Sequence, residues 1–310
     1  MKKTAIALAV AAIAAAPLTA QAVETYASVR IGLERFDGGS TIEEDGSTTD
    51  HEASTTIRGF ASRLGFKGET DLGNGMTGFG KYEFGVGTEG SGTNVTRRHA
   101  LVGLKGDFGS LTLGQTYHTW YNMVVGQSDM PWWGNNQGFV GLAYTGRTAQ
   151  AATYKGDFGG VGVGATVYMD NSTPGGAATD AEDVDGIEAA VSFMAGPAYI
   201  GIGMQDLETN ADAATGIAVN VPVGPVDLRG NLVTQGDDTS VHVYAGFGNA
   251  YLDYGQNDID ATGNTPFGFT LGYTHSIGPQ TTAWFEFQSV DDDDGSDAAT
   301  VVRAVLKYDM

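Results

Sequence analysis

Residues 266–277 read Pro266-Phe267-Gly268-Phe269-Thr270-Leu271-Gly272-Tyr273-Thr274-His275-Ser276-Ile277. Phe267, Phe269, Leu271, Tyr273 and Ile277 fall on one side of an extended chain, with only His275 breaking the apolar set. Gly268, Thr270, Gly272, Thr274 and Ser276 fall on the other. Alternation of period two marks a strand with two unlike faces. The pattern recurs. Val241, Val243, Ala245 and Phe247 oppose His242, Tyr244 and Gly246. Ala283, Phe285 and Phe287 oppose Thr282, Trp284 and Glu286, and Val302, Ala304, Leu306 and Tyr308 oppose Arg303, Lys307 and Asp309. The 310 residues include 47 glycines without a three-residue period. Each would cost about 1 kcal/mol inside a helix, so the chain is read as all-β.

Only 17% of the residues are charged, yet the net charge is −21. Aromatics make up 10%, too many for a disordered acidic chain. The absence of cysteine excludes thiol nucleophiles, thiolate metal sites and disulfide frameworks. No cofactor is expected, and nucleic acid is not an expected partner. Lys2 and Lys3, the apolar residues 5–18 and the small-x-small string Ala20-Gln21-Ala22 read as a secretory signal. Residues 1–22 are thus expected to be cleaved, leaving 23–310 as one domain.

An exported alternating chain is a soluble sheet protein or a membrane barrel, and the connections decide between them. Short ones read Asp71-Leu72-Gly73-Asn74-Gly75, Phe108-Gly109, Phe158-Gly159-Gly160, Gly196-Pro197, Gly224-Pro225, Gly248-Asn249 and Gly278-Pro279-Gln280. Longer or acidic ones, at 38–54, 89–94, 117–146, 171–184, 209–214, 236–239, 259–265 and 291–298, take turns with them. This predicts a 16-stranded antiparallel transmembrane β-barrel with short periplasmic turns and longer extracellular loops. Each strand with its connection receives about 18 residues, against the roughly 9–11 that a tilted membrane strand requires.

Four strings in order carry a resemblance. They are Arg63-Leu64-Gly65-Phe66-Lys67-Gly68-Glu69, Gly80-Lys81-Tyr82-Glu83-Phe84, Arg97-Arg98-His99-Ala100-Leu101-Val102-Gly103-Leu104-Lys105 and Phe108-Gly109-Ser110-Leu111-Thr112-Leu113-Gly114-Gln115. From about Tyr26 to Met169 the chain resembles the Gram-negative general diffusion porins. The resemblance implies a homotrimer in the outer membrane, in contact with lipid and lipopolysaccharide. It also implies passive passage of small hydrophilic solutes and ions, and a third loop folded inward to narrow each barrel.

The long connection 117–146 suits that role. It holds Tyr117, Trp120, Tyr121, Met123, Trp132, Trp133, Phe139 and Tyr144, and non-helical backbone at membrane depth survives only against protein or a wet cavity. The resemblance places a basic wall on Arg63, Arg98 and Arg147, each expected on a different strand, facing Asp129 on the loop. Parity agrees for part of it. Arg63 and Lys67 oppose Leu64 and Phe66, Arg30 and Glu34 oppose Ile31 and Leu33, and Lys81 and Glu83 oppose Tyr82 and Phe84. An arginine facing lipid at the midplane would cost about 2–4 kcal/mol. Trp132 and Asn136 stand where family members commonly carry acids, so a weaker transverse field and a more aromatic neck are expected. A sugar-preferring porin is therefore the second reading.

Acids crowd the other long loops, among them Glu43, Glu44, Asp45 and Asp50 in the first and Asp180, Glu182, Asp183 and Asp185 in the fourth. They are expected to give a weak cation preference in dilute salt that fades as the Debye length shrinks from about 8 Å to about 3 Å. Asp291, Asp292, Asp293 and Asp294 are weak metal candidates, lacking the spacing and terminal glutamate of a calcium loop. Catalysis finds little support, and the chain is not expected to be an enzyme. The Gly73–Gly78 string matches GxGxxG but sits in a turn between strands, and the five histidines are isolated, with His118 expected to face the channel. An enzyme barrel or an adhesin remains as a further alternative. The chain ends Lys307-Tyr308-Asp309-Met310 rather than on the usual aromatic, which puts the last strand's register in question.

Overall fold

The alternating stretch that opened the reading forms a strand, Phe267–Gly278. Its Phe267, Leu271 and Tyr273 are exposed, and Gly268, Thr270 and Gly272 are buried. The computed structural model describes residues 23–42, 48–50, 52–88, 95–132, 142–169, 184–208 and 210–310. The proposed signal, Trp133, Asn136 and most of the first and fourth acidic loops lie outside them.

The barrel opens with β1 (Glu24–Asp37) and β2, which is broken into Ser54–Gly59 and Arg63–Gly73. There follow β3 (Met76–Val86), β4 (Val95–Gly106), β5 (Gly109–Gln115), β6 (Ala151–Phe158) and β7 (Val161–Tyr168). Next come β8 (Gly186–Ala195), β9 (Ala198–Leu207), β10 (Ala214–Val223), β11 (Val226–Gln235) and β12 (Asp238–Phe247). The last four are β13 (Ala250–Asp258), β14 (Phe267–Gly278), β15 (Thr281–Asp291) and β16 (Ala299–Asp309). Each pairs antiparallel with its sequence neighbours, and β16 pairs with β1, closing the cylinder of sixteen strands. A closed barrel leaves no unpaired edge facing lipid, which is what permits strands to cross a bilayer. Among the described residues no helix is long and apolar enough to do so.

Closure does not depend on an aromatic last residue. Asp309 stands opposite Ser28, and Met310 and Ala27 exchange backbone hydrogen bonds of 3.1 and 2.9 Å. The end of the chain is therefore in register. At the β2–β3 hairpin, Gly73, Asn74 and Gly75 all adopt positive φ (79°, 52° and 74°), a conformation that glycine and asparagine tolerate best. The GxGxxG string is this turn.

Val29, Ile31, Leu33, Phe66, Val102 and Leu113 are among the many large apolar side chains exposed on the outer face. In water such a band would be an aggregation hazard; in a bilayer it is the solvated face. The inner face carries the polar and small residues.

The break in β2 is not visible in the alternation. Gly59 pairs with Ile31 and Arg63 with Ser28, an offset of one residue between the two halves. Ala61 takes positive φ (55°) within the break. Phe60 is fully buried there, edge-on to Trp284 of β15 with ring centroids 6.0 Å apart.

Candidate pore constriction

Between β5 and β6 the chain turns into the barrel and forms a short helix, α1 (Thr119–Met123), followed by a 3-10 turn, Val125–Gln127. Trp120, Met123, Val124 and Val125 are buried against Ala190, Ala214, Ala218 and Val233 of β8, β10 and β11. The wall meets them with small residues. A Cβ on Gly201 would lie 2.0 Å from the Met123 carbonyl oxygen, and one on Gly216 would lie 2.8 Å from the Trp120 ring. Tryptophan and valine on the loop thus fit a strip of the wall from which side chains have been removed.

Polar anchors complete the docking. Glu188 accepts hydrogen bonds from the Trp120 backbone N–H (2.9 Å), the Tyr168 hydroxyl (2.6 Å) and the Gln205 amide (2.8 Å). The Met123 carbonyl accepts from Tyr199 (2.9 Å), and the Gln127 carbonyl from Arg229 (3.3 Å). Glu188→Ala is expected to leave three buried donors short of an acceptor at about 1–3 kcal/mol each. The expected result is a lower thermal unfolding midpoint and noisy open-channel current; a quiet channel of unchanged midpoint would refute the anchoring role.

Further along, Ser128, His242 and Asp253 form a buried chain. The Ser128 hydroxyl lies 2.8 Å from His242 Nδ1, and His242 Nε2 lies 2.8 Å from Asp253. The residue types are those of a hydrolase triad, but all three are at most 1% exposed and Ser128 Oγ also accepts from Asn231 (2.6 Å). No substrate reaches that hydroxyl, and the chain acts as a latch holding the loop to β11, β12 and β13. His118 is buried likewise, against Thr153 (2.8 Å) and the Thr148 carbonyl (2.9 Å). The expectation that it faces the channel is corrected: it pins the root of the loop.

The loop then crosses to the far wall. Trp132 stacks on Trp284 with centroids 4.7 Å apart, and the Lys307 and Arg30 cations lie 5.0 and 5.7 Å from its ring centre. Behind it, Arg303 bridges Glu34 (2.8 Å) and Glu286 (3.7 Å), all three buried.

Among the described residues a cavity of about 500 Å³ lies between the loop and the wall of β1, β2 and β4. Arg30, Arg63 and Arg98 line it from the barrel wall; Tyr117, Tyr121, Asp129, Trp132 and Arg147 line it from the loop. Arg63 follows directly on the break in β2, its Nε donating to the Ala61 carbonyl (3.2 Å). Arg98 sits in a β-bulge. Glu83 pairs with His99 and Phe84 with Arg97, so Arg98 is the extra residue and turns inward beside His99. Bulges re-aim side chains in this way. Glu83 collects these cations, lying 2.8 Å from Arg98, 3.2 Å from Lys81 and 3.9 Å from Arg63, and it also accepts from Tyr26 (2.7 Å).

Arg147 differs from the expectation that each arginine comes from its own strand. It lies on the returning limb of the loop, just before β6. Its guanidinium is 4.0 Å from the Tyr117 ring centre and donates to the Tyr117 hydroxyl (2.5 Å). Tyr117 stacks on Tyr121 at 3.7 Å, and Tyr121 donates to Asp129 (2.5 Å).

The structure therefore brings Arg30, Arg63, Arg98, Arg147, Asp129 and Trp132 around one gap, with Lys81 and Glu83 beside it. Asp291 ends β15, and Asp292, Asp293 and Asp294 lie in the connection from it to β16. There the Thr265 backbone and side chain hydrogen-bond to Asp293 and hold its pKa below the ordinary aspartate range. Asp294 is engaged by Ser296. Among the described residues no three acids or histidines converge as a metal site. Sequence reasoning passed over His242, Glu188 and Trp284, all on inward strand faces. A tryptophan on the wet side of a strand was the one available signal that something packs there.

The Gram-negative porin family model matches residues 4–295. Major outer membrane protein P.IB of Neisseria gonorrhoeae is 36% identical over 115 residues, 37% of this chain and 32% of that protein. Outer membrane porin protein LC of Enterobacteria phage PA-2 is 34% identical over 169 residues, 52% and 45% of the two chains. The matches thus span about a third to just under half of the length of these curated relatives. Among solved structures, an anion-selective porin from Comamonas acidovorans superposes with a TM-score of 0.69 at 18% identity, over 93% of this chain and 99% of that one. With a closed sixteen-stranded barrel, an inward loop and a family match over most of its length, the chain belongs to the Gram-negative porin family, and its place is the outer membrane.

Proposed function

We propose that the protein is a passive diffusion channel for small hydrophilic solutes and ions, narrowed where the inner loop, which carries Asp129 and Arg147, faces Arg63 and Arg98. The observation that carries this reading is the polar gap left between a firmly docked loop and a basic wall inside a closed barrel. Channels select by the width and charge of such a neck. Residues 1–22 direct export in this reading, three copies assemble in the membrane, and the acidic outer loops meet lipopolysaccharide.

The sugar-preferring alternative is weakened at Trp132, the ring it would need. Trp284 stacks on that indole and two cations lie over it, leaving little face for a sugar. The enzyme alternative is weakened by the sealing of Ser128, His242 and Asp253.

Reconstitution of the purified protein into planar bilayers tests the proposal. Stepwise, ohmic conductance with steps grouped in threes is expected. Bilayers that stay silent after verified insertion would refute it.

A further inference from the structure

The wall that carries the inner loop is thin. Inside, a Cβ on Gly164 would lie 2.6 Å from the Met123 sulfur, and one on Gly203 would lie 2.9 Å from the Val124 side chain. The loop therefore rests on backbone there. On the outer face of the same strands, the pairing register sets Ala165 of β7 beside Ala189 of β8. Met204, Thr215 and Thr234 of β9, β10 and β11 continue the row. The next row toward the periplasm carries Val163, Val191, Ile202, Ile217 and Leu232. Small residues beside large ones leave an outer trough of about 710 Å³. Neighbouring strands lie about 4.8 Å apart, so the five make it about 19 Å long.

Among the described residues no charged side chain lines this trough. The Thr215 and Thr234 hydroxyls hydrogen-bond to each other at 2.9 Å, so the pair can lie in an apolar medium without water. Its height in the membrane follows from the strand ends. Ala165 and Ala189 lie three residues from Tyr168 and Gly186, and Thr234 lies next to Gln235, all extracellular ends. The following outward position on β9 is the exposed Asp206, where the apolar face gives way to the headgroup level. The trough is thus continuous with the lipid-facing belt and lies in the outer leaflet, just beneath the headgroups.

Two barrel walls are both convex and meet along a line, so a second copy would cover this trough without filling it. A flexible acyl chain fills it, and a void left there would forfeit packing contacts along its whole length. In the outer leaflet of the outer membrane such chains belong to lipopolysaccharide. We infer that the trough over β7 to β11 holds one acyl chain of lipopolysaccharide, and that this chain packs the outer side of the strip on which the inner loop rests. The inference rests on the outer-membrane placement and is independent of the channel reading.

Protein purified from native outer membranes tests it, after EDTA has released lipopolysaccharide held through divalent cations. The protein is expected to retain the hydroxylated fatty acids diagnostic of lipid A. The double variant Ala165→Leu, Ala189→Leu fills the trough with apolar side chains and leaves the inner face untouched, and it is expected to lose that retained fraction. Amide exchange over α1 and the 3-10 turn reads the coupling to the loop. Transfer into cholate, whose rigid rings do not fit a trough one side chain wide, is expected to speed this exchange severalfold in the unmodified chain and to change it little in the variant. Equal retention of lipid A by the two chains overturns the inference. So does a variant whose trimers fall apart, since that would place a second copy on this face. Exchange that does not respond to removal of the lipid overturns the coupling.

Discussion

Gly201→Val is expected to raise single-channel conductance severalfold and to admit larger solutes, while the barrel stays folded. Gly201 lies on β9 where the inner loop presses closest to the wall, and even a methyl group there would come within 2.0 Å of the Met123 carbonyl oxygen. Backbone at that distance has no rotamer to yield, so either the loop or the strand must move. The strand is held by ladders to β8 and β10 on both sides. The loop is held by a few side-chain bonds and by Trp120 and Val124 packed on Ala190, Ala214 and Ala218. Overpacking a tight interface costs about 1–3 kcal/mol, comparable to one or two of the loop's anchors, so the loop is the part expected to give. Gly216→Leu, which would meet the Trp120 ring at 2.8 Å, should act in the same direction. Polymer exclusion with graded polyethylene glycols, read beside conductance, checks the outcome. A normal exclusion limit in both variants would mean that the loop does not depend on this surface.

The largest loss of stability is expected from Arg303→Met. Arg303 lies on β16 with its side chain 7% exposed, between Glu34 of β1 and Glu286 of β15. It also donates to Gln288 (2.9 Å). Removing the cation leaves carboxylates buried without their shared partner, and breaking such an arrangement costs about 3–5 kcal/mol. The site joins the last strands to the first, so the damage falls on barrel closure. It also lies behind the Trp284 shelf on which Trp132 rests. The expected readout is a marked fall in the heat or urea midpoint of the detergent-solubilised barrel. Adding Glu34→Gln should recover part of the loss, since Arg58 is then the only cation deprived of that carboxylate. A midpoint unchanged by Arg303→Met would show that water reaches these acids.

The two experiments probe features of unequal visibility in the sequence. Arg30, Arg63, Lys81 and Glu83 could be placed inside by parity, because a strand gives each residue one of two faces. Arg98 was harder. Its inward turn depends on a bulge, and the only trace of that bulge was the run Arg97-Arg98-His99, three polar residues where alternation should have put an apolar one. The break at Phe60, Ala61 and Ser62 left no trace, since nothing about alanine announces a positive φ. Arg147 was assigned to a strand because the end of an irregular loop has no periodicity to mark it. Ser128, His242 and Asp253 are far apart in sequence, and no spacing rule could bring them together.

The inward course of the third loop was implied by the family resemblance; the sequence by itself determined the closed barrel, its sixteen strands and the outward apolar belt. These follow from repetition: period-two alternation and alternating connection lengths repeat many times, so local irregularities do not obscure them. Only the tertiary structure decided where that loop rests, which glycines make room for it, and which arginines meet at the gap. Those outcomes depend on single contacts between residues distant along the chain, where a one-residue bulge or one added methyl group changes the result.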